Sequence, residues 1–366
     1  MLNDTVGPLV LGVLAVLLIV LGWVVLLWPD RSQETPAVRG RRRRRRPARD
    51  HFRDESDTDV EVPRRRAAVI ANPTKFHDIS VPRDLITRVC REEGWDDPLW
   101  LETTVEDPGT GQAREALTQG VDLVCALGGD GTVRSVAAGL LGTRTPMGIL
   151  AAGTGNLLAR NLELPHSLRE STLVALGGRN RRVDVGRVQV NPSGEHERPD
   201  EHIFLIMAGI GFDAVVINDA PERLKARVGW LAYGVSGLRH LPGSSFKVRA
   251  RFGDTELRRR VQSVLIGNCG RLTAGLVLMP DARIDDGQFD SVVLSPKGVV
   301  GWVAVAGRII TRRRAGHERL EHHTSAEAVL QADRPVEVQL DGDSVGAARE
   351  IRARVDPLAL SIRVPT

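Results

Sequence analysis

The sequence LVCALGGDGT at Leu123–Thr132 is the most informative stretch of this chain. Its first five residues are a short apolar run typical of a buried parallel strand, and a helical pattern begins directly after the glycines. Three glycines let the backbone approach a ligand closely, and the amino end of the following helix offers free N–H groups to an anion. Asp130 repels phosphate unless a divalent cation lies between them. The alternative is a tight turn in which Asp130 caps a helix.

A second loop of the same kind is the sequence GTGN at Gly153–Asn156. It follows an apolar run at Met147–Ala151 and precedes a helical pattern at Asn156–Leu162. Two adjacent strand, loop and helix units direct two helix amino ends to the same edge of a parallel sheet, where ligands of such sheets bind. The two loops together therefore predict one polyphosphate site.

Around these loops, the pattern predicts an α/β domain over residues 66–179 and a β-rich domain over residues 180–366. Further strands of the first domain are expected at Ala67–Ala71 and Leu99–Val105, and its helices at Val81–Glu93, Thr110–Thr118, Thr132–Leu141 and Ser167–Leu176. The strands of the second domain are expected at Arg182–Val190, Ile203–Ala208, Phe246–Phe252, Val261–Ile266, Phe289–Leu294, Val336–Leu340 and Leu358–Val364, with helical stretches at 221–241 and 299–313. Whether the C-terminal end of the chain belongs to the second domain or returns to the first stays open at this point.

The amino-terminal segment predicts a membrane anchor. Residues 5–29 carry no charge and are long enough for the roughly 20-residue helix that crosses a bilayer. A cleavable signal peptide is the alternative, but Asp4 stands where such a peptide has a positive end. The arginines at 41–46 follow the apolar run, so the positive-inside rule places the rest of the chain in the cytoplasm as a single-pass membrane protein. Residues 30–65 are predicted to be a disordered Arg-rich linker, which either only flanks the anchor or also binds anionic lipids.

The charge distribution excludes nucleic acid as the expected partner. Residues 1–66 contain 13 Arg and 9 acidic residues, whereas residues 67–366 hold 37 basic and 37 acidic residues. The net charge of +4 therefore belongs to the leader, and a nucleic-acid-binding domain would carry it on the folded part. Three widely spaced cysteines support neither a disulfide framework nor a zinc site. The oligomeric state stays open, and a homodimer is one expected assembly.

Three other functional motifs are absent or incomplete in this sequence. The chain has no G-x-x-x-x-G-K-[ST] sequence, so a P-loop is excluded. Gly209–Ala214 matches the dinucleotide-binding pattern but has no acidic residue about 20 positions later, which favours a structural turn. The segment His317–His323 lacks the second histidine of the H-E-x-x-H zinc motif and is predicted to be a solvated polar segment.

The order and spacing of Asn72-Pro73 and the two glycine loops resemble the diacylglycerol kinase catalytic domain superfamily, the lipid kinases that include bacterial diacylglycerol kinases and sphingosine kinases. Four later segments are similar to that family too: Val183–Val188, Ala208–Ala214, Asp281–Asp290 and Leu340–Asp343. The resemblance implies an α/β nucleotide-binding domain of the NAD kinase and diacylglycerol kinase type followed by a β-sandwich domain, here behind an N-terminal transmembrane helix. It also implies ATP-dependent phosphorylation of a lipid hydroxyl in the cleft between the domains.

Carried over position by position, the resemblance implies the following site. The nucleotide would contact Asn72, Thr74, Gly128, Gly129, Asp130, Gly131, Thr132, Gly153 and Thr154, with Mg²⁺ at the phosphates. The catalytic carboxylates would be Asp343, Asp341, Asp130 and Asp184, the proton acceptor falling on Asp343 with Asp341 beside it. A structural magnesium ion would bind Asp286 together with backbone oxygens of Arg283 and Gln288.

The sequence departs from the family at three positions. Thr74-Lys75 replaces a pair of small residues, Leu157 replaces an aspartate, and Asp343 replaces a glutamate. A base shortened by a methylene leaves three outcomes open: a shifted site, Asp341 as the base, or a slow enzyme. An NAD kinase-like enzyme and a non-catalytic, membrane-tethered lipid-binding protein are the alternative functions. Diacylglycerol is the first expected substrate, and other lipid alcohols, including a sphingoid base, stay open.

Overall fold

The structure is a computed structural model that describes residues 65–193, 200–211, 245–272, 277–296, 301 and 320–366. They belong to one compact unit, Val62–Thr366, which is separate from Met1–Glu61. The predicted anchor at 5–29, residues 30–64 of the predicted linker, and the predicted helical stretches at 221–241 and, apart from residue 301, at 299–313 lie outside the described residues. No helix in the described part of the chain has the length and apolar composition needed to cross a bilayer.

The first half of the unit is the predicted α/β domain. Its strands are β1 (Ala67–Ala71), β2 (Leu99–Glu102), β3 (Leu123–Gly128) and β4 (Met147–Ala151), which pair in parallel in the order β2-β1-β3-β4. Its helices are α1 (Ser80–Glu92), α2 (Thr110–Thr118), α3 (Asp130–Leu140), α4 (Leu157–Asn161) and α5 (Leu168–Gly177). β1 and β3 are buried along their whole length because helices cover both faces of the sheet, which explains their continuous apolar sequences.

The second half consists of strands, as predicted for a β-sandwich. They are β5 (Arg179–Asn191), β6 (Asp200–Phe204), β7 (Met207–Ile210), β8 (Phe246–Phe252), β9 (Thr255–Val261), β10 (Ser263–Gly267), β11 (Phe289–Leu294), β12 (Leu320–Ser325), β13 (Glu327–Leu340) and β14 (Asp343–Val364). All pairings among these ten strands in the described residues are antiparallel. Alternate side chains of most of these strands form one core, which includes Phe204, Phe246 and Phe289.

The long strand β14 connects the two halves. It pairs with β13 and β5 in the second half, and near its end Ile362 pairs in parallel with Met147 of β4. The chain end therefore extends the parallel sheet. At the opposite end of β14, the β13–β14 turn at Asp341-Gly342 is linked to helix α3 through Arg134.

Two local predictions are wrong. The strand expected at Ile203–Ala208 is broken at Leu205-Ile206, because a carboxylate from the β13–β14 turn accepts the backbone N–H groups there. The polar segment predicted at His317–His323 is a strand from Leu320 onward, which pairs with the buried strand β11. The exposed His322 and Thr324 alternate with the half-buried Glu321 and His323, so the two faces of this strand differ in exposure.

Candidate active site

Asn72 fixes the loop after β1 against the first glycine loop. Its backbone N–H donates to the Leu127 carbonyl at 2.9 Å. Its Oδ1 accepts hydrogen bonds from the Thr74 backbone N–H at 3.0 Å and the Thr74 hydroxyl at 2.7 Å. Its Nδ2 donates to Thr132 Oγ1 at 3.3 Å. The structure therefore brings Asn72, Thr74 and Thr132 together, as the resemblance implies.

The two glycine loops lie against each other along their backbones. A Cβ atom on Gly153 would lie 2.7 Å from the Cα of Gly129, and one on Gly128 would lie 2.6 Å from the side chain of Thr132. The Ala152 N–H also donates to the Gly128 carbonyl at 2.8 Å. A side chain at Gly153 would push the two loops apart, and one at Gly128 would clash with Thr132 inside the first loop. The result is a surface of bare backbone at the amino end of α3, which suits a polyphosphate.

Asp130 caps the helix of the neighbouring loop, α4. Its Oδ2 accepts from the Leu157 N–H at 3.1 Å and its Oδ1 from the Leu158 N–H at 3.3 Å. Burial raises the pKa of Asp130 above its ordinary value, and these hydrogen bonds oppose the shift. Each oxygen keeps a further lone pair, so the carboxylate can still contact a cation. Asn156 shapes the same loop from a left-handed conformation by bonding the Gly153 N–H and carbonyl.

Two substitutions of Asp130 should distinguish its role as the cap of α4 from the role of its negative charge in catalysis. Asp130→Asn keeps a side-chain oxygen for the α4 N–H groups, whereas Asp130→Ala removes it and lowers the free energy of unfolding by about 1 kcal/mol. Both variants should lose phosphotransfer activity by about 100-fold if the charge is required at the phosphates. Thermal unfolding and initial rates measure the two effects. Full activity in Asp130→Asn would contradict the role of the charge, and helix capping would then be the remaining role of Asp130.

Two cations near the loops were not among the predicted site residues. Lys75 is exposed, and its Cε lies 3.9 Å from the position a Gly129 Cβ would take. Arg134 lies one turn into α3, and its Nη2 donates to Asp343 Oδ2 at 2.8 Å while its Nη1 donates to the Leu340 carbonyl. Only their positions relative to the motifs could have pointed to them in the sequence. Lys75 departs from the family pattern, and Arg134 follows Asp130 at the i+4 helical spacing.

Asp343 lies over the first glycine loop. A Cβ on Gly131 would be 2.9 Å from Asp343 Oδ2, so the carboxylate is close to the amino end of α3. Its side chain is 56% exposed, with the Arg134 guanidinium as its ion-pair partner. The second half of the chain thus supplies an accessible acceptor oxygen at the predicted phosphate site.

Asp341, two residues before Asp343 in the sequence, is buried inside the protein. Its side chain has no exposed surface, and its oxygens accept from the backbone N–H groups of Leu205, Ile206 and Met207 at 2.8–3.3 Å. Arg134 Nη1 lies 3.9 Å from its Oδ2. Burial raises the pKa of Asp341 to about 6, against the lowering effect of Arg134 and the three N–H donors. Asp341 therefore joins the β13–β14 turn to the break between β6 and β7.

Asp184 contacts a different part of the fold from the glycine loops. It is completely buried, and its two oxygens accept from the Gly287 and Leu358 N–H groups, each at 2.7 Å. In the loop that contains Gly287, Asp286 Oδ1 accepts from the Gln288 N–H at 3.1 Å, while Arg283 is exposed. Among the described residues no group of three or more acidic, His or Cys side chains is placed to hold a metal ion. The metal roles of Asp184, Asp286, Arg283 and Gln288 stay predictions.

The arrangement suits transfer of a phosphoryl group. Bare loop backbone and two cations face the position expected for phosphates, and one exposed carboxylate lies beside it. Such an arrangement can bind and position a polyphosphate, and the carboxylate can accept the proton of an attacking hydroxyl.

Comparison with known proteins identifies both halves. Residues 66–188 match the Diacylglycerol kinase catalytic domain, and residues 206–364 match the YegS C-terminal NAD kinase beta sandwich-like domain. A diacylglycerol kinase of Staphylococcus saprophyticus is 27% identical over 293 residues, which cover 77% of this chain and 90% of that protein. A diacylglycerol kinase of Bacillus subtilis is 26% identical over 290 residues, which cover 77% of this chain and 91% of that protein. The crystal structure of a diacylglycerol kinase from Bacillus anthracis has the same fold with a TM-score of 0.61 at 19% identity, covering 82% of this chain and 96% of that one. This chain belongs to the diacylglycerol kinase catalytic domain family.

Proposed function

We propose that this chain transfers the γ-phosphate of ATP to a membrane lipid hydroxyl, with diacylglycerol as the first candidate acceptor. The observation that carries the proposal is the position of Asp343, an exposed carboxylate held 2.8 Å from Arg134 and directly over the glycine loop. Curated relatives with this domain are named diacylglycerol kinases, which supports the choice of acceptor.

The phosphates of ATP would lie on the two glycine loops. The N–H groups at the amino end of α3 and the charges of Lys75 and Arg134 would bind them. The Asn72–Thr132 hydrogen bond keeps the first loop in place, and the cap that Asp130 provides for α4 keeps the two loops together. This backbone cradle would hold the two loops together around the phosphates of ATP.

Asp343 is the proposed proton acceptor. A base must come within about 2.6–3.2 Å of the hydroxyl it deprotonates, and Asp343 is accessible from solvent whereas Asp341 is not. Arg134 orients the Asp343 carboxylate through an ion pair and the Leu340 carbonyl through a hydrogen bond. The proximity of Asp343 to Gly131 supports a site shifted to suit the shorter side chain, the first of the three outcomes left open by the sequence.

The described carboxylates suit the Mg²⁺ ion that accompanies ATP, and they do not form a metal site whose ligands all come from protein side chains. Mg²⁺ usually binds through one or two carboxylates plus substrate phosphates, and Asp130 is the carboxylate of the first glycine loop that could contact it. Mg²⁺ neutralises charge that develops on the phosphates during transfer. We also keep Asp286, with backbone oxygens of Arg283 and Gln288, as the proposed structural magnesium site.

We propose that residues 5–29 anchor the chain in the cytoplasmic membrane with its catalytic part in the cytoplasm. This location suits an enzyme whose acceptor is in the bilayer and whose ATP is in the cytosol. The full chain should then stay with the membrane fraction after a high-salt wash, and residues 62–366 should be released by it. Immunoblots of the washed fractions measure this. A full chain that high salt removes would contradict the anchor.

A competition among acceptors tests the proposed function. Purified protein receives labelled ATP together with dispersed diacylglycerol, a sphingoid base, ceramide and NAD, and the products are separated. We expect label in the lipids, mainly in phosphorylated diacylglycerol. Label in NADP instead would support the NAD kinase-like alternative, and unlabelled products throughout would support the non-catalytic lipid-binding alternative.

A further inference from the structure

The β8–β9 hairpin presents a basic face at the edge of the sheet. β8 alternates buried and exposed side chains, and its exposed side chains are Lys247, Arg249 and Arg251. In β9 the exposed Arg260 and Arg258 lie opposite Lys247 and Arg249 on that same face. These five residues, Lys247, Arg249, Arg251, Arg258 and Arg260, are the hairpin patch.

Most of the positive charge of the hairpin patch is unpaired. Glu256 accepts from Arg249 at 2.9 Å and from Arg258 at 3.0 Å, so it serves two arginines. Lys247, Arg251 and Arg260 have no side-chain hydrogen bond or ion pair with any described residue. The nearby Asp333 accepts the backbone N–H of Lys247 at 3.0 Å. Like charges that face each other across two strands destabilise the hairpin, so a binding partner is one physical reason to keep them.

The rest of the same sheet face is electrically balanced. β13 places the uncharged Gln331 beside Arg249 and Val329 beside Arg251. Further along this face three arginines meet three acidic side chains, because Arg352 pairs with Glu350 while Arg187 and Arg354 both pair with Asp356 and Glu201. The charge excess on this face is therefore confined to the β8–β9 hairpin, although residues 67–366 as a whole are formally neutral.

We propose that the hairpin patch is a docking surface for an anionic phospholipid bilayer. The surface is charged, and the exposed residues on this face include no aromatic side chain on which nucleic acid bases stack, because Phe246 and Phe252 point into the core. Each Lys or Arg near an anionic surface adds a favourable electrostatic contribution. The choice of a bilayer rests on the proposed lipid substrate, and phosphorylation of that substrate would itself add negative charge to the membrane.

Vesicle flotation with residues 62–366 tests this surface apart from the predicted anchor. This fragment is one compact unit and contains both matched domains, and the 293 residues aligned with the Staphylococcus saprophyticus relative cover 90% of that protein, so we expect the fragment to fold by itself. The vesicles contain either phosphatidylcholine alone or phosphatidylcholine with 30% phosphatidylserine. We expect binding to the anionic vesicles only, and its loss at 0.5 M salt because the charges are screened.

The triple variant Lys247→Gln/Arg251→Gln/Arg260→Gln should reduce the partition coefficient by about 100-fold. The matched control Arg88→Gln/Arg114→Gln/Arg144→Gln removes three exposed charges from the α/β half and should bind like the wild type. Equal binding by both variants would overturn the proposal and leave the charges as protection of an edge strand. Binding of single-stranded RNA in place of anionic vesicles would overturn it as well.

Catalysis in detergent micelles separates this inference from the proposed function. In mixed micelles without anionic lipid the triple variant should phosphorylate its lipid acceptor at the wild-type rate. Failure of the wild-type fragment to bind vesicles, with normal micelle activity, would reject the docking surface and keep the kinase. Vesicle binding without any lipid phosphorylation would reject the kinase and keep the surface.

Discussion

Asp343→Asn should lower kcat for lipid phosphorylation by about 100- to 10,000-fold, because a positioned general base contributes a factor of that size. The side chain is 56% exposed and accepts one ion pair, so the substitution leaves the core untouched. The variant should unfold at the wild-type temperature and bind ATP with unchanged affinity. Initial rates, thermal unfolding and nucleotide titration measure these three quantities.

Asp343→Glu is the matched control for that experiment. It restores the acceptor with one added methylene, and we expect at least a tenth of the wild-type rate. Near-normal activity in Asp343→Asn would contradict the role of Asp343 as base. Equal loss of activity in the Asn and Glu variants would instead mean that the carboxylate group is not what the site requires.

Asp341→Ala has the largest expected effect on stability, a loss of about 3 to 5 kcal/mol in the free energy of unfolding. The carboxylate is fully buried, and its removal leaves three backbone N–H groups and one face of Arg134 without their acceptor. Urea unfolding followed by fluorescence measures the change. Asp96→Ala is a suitable control, because Asp96 is exposed and its side chain makes no hydrogen bond or ion pair with the described residues. Equal stability of the two variants would contradict the structural role of Asp341.

The stability contribution of Asp341 should depend on pH. Its pKa of about 6 in the folded protein lies above its ordinary value of 3.8, so folding favours the protonated acid. The contribution is therefore complete below pH 3.8 and is lost as pH rises through about 6. The difference in unfolding free energy between wild type and Asp341→Asn should shrink by about 2 kcal/mol from pH 4 to pH 7. A difference that grows over this range would mean that folding favours the ionised carboxylate instead.

Local sequence predicted the parts of the site that local structure determines. The apolar runs before Gly128 and Gly153 form the expected parallel strands, and the glycines lie at their carboxyl ends. The close contact between Gly129 and Gly153 follows from the adjacency of β3 and β4. Strand-and-loop periodicity is sufficient for these conclusions, because each depends on residues close together in the sequence.

The remaining features depend on residues far apart in the sequence. Asp130 caps a helix 27 residues later, and Arg134 reaches an aspartate 209 residues later. The difference between Asp341 and Asp343 is also invisible locally: the two carboxylates are two positions apart, yet only one is exposed. Strands β9 and β12 escaped prediction because their charged and polar side chains hide the alternation that burial imposes.

The fate of the γ-phosphate of ATP decides whether this chain is a lipid kinase. Purified protein, γ-labelled ATP, Mg²⁺ and dispersed diacylglycerol are mixed, and label is counted in the extracted lipid and compared with the ADP formed. We predict one labelled lipid molecule per ADP. ADP without labelled lipid would identify an ATPase, and the absence of both products would contradict phosphotransfer altogether.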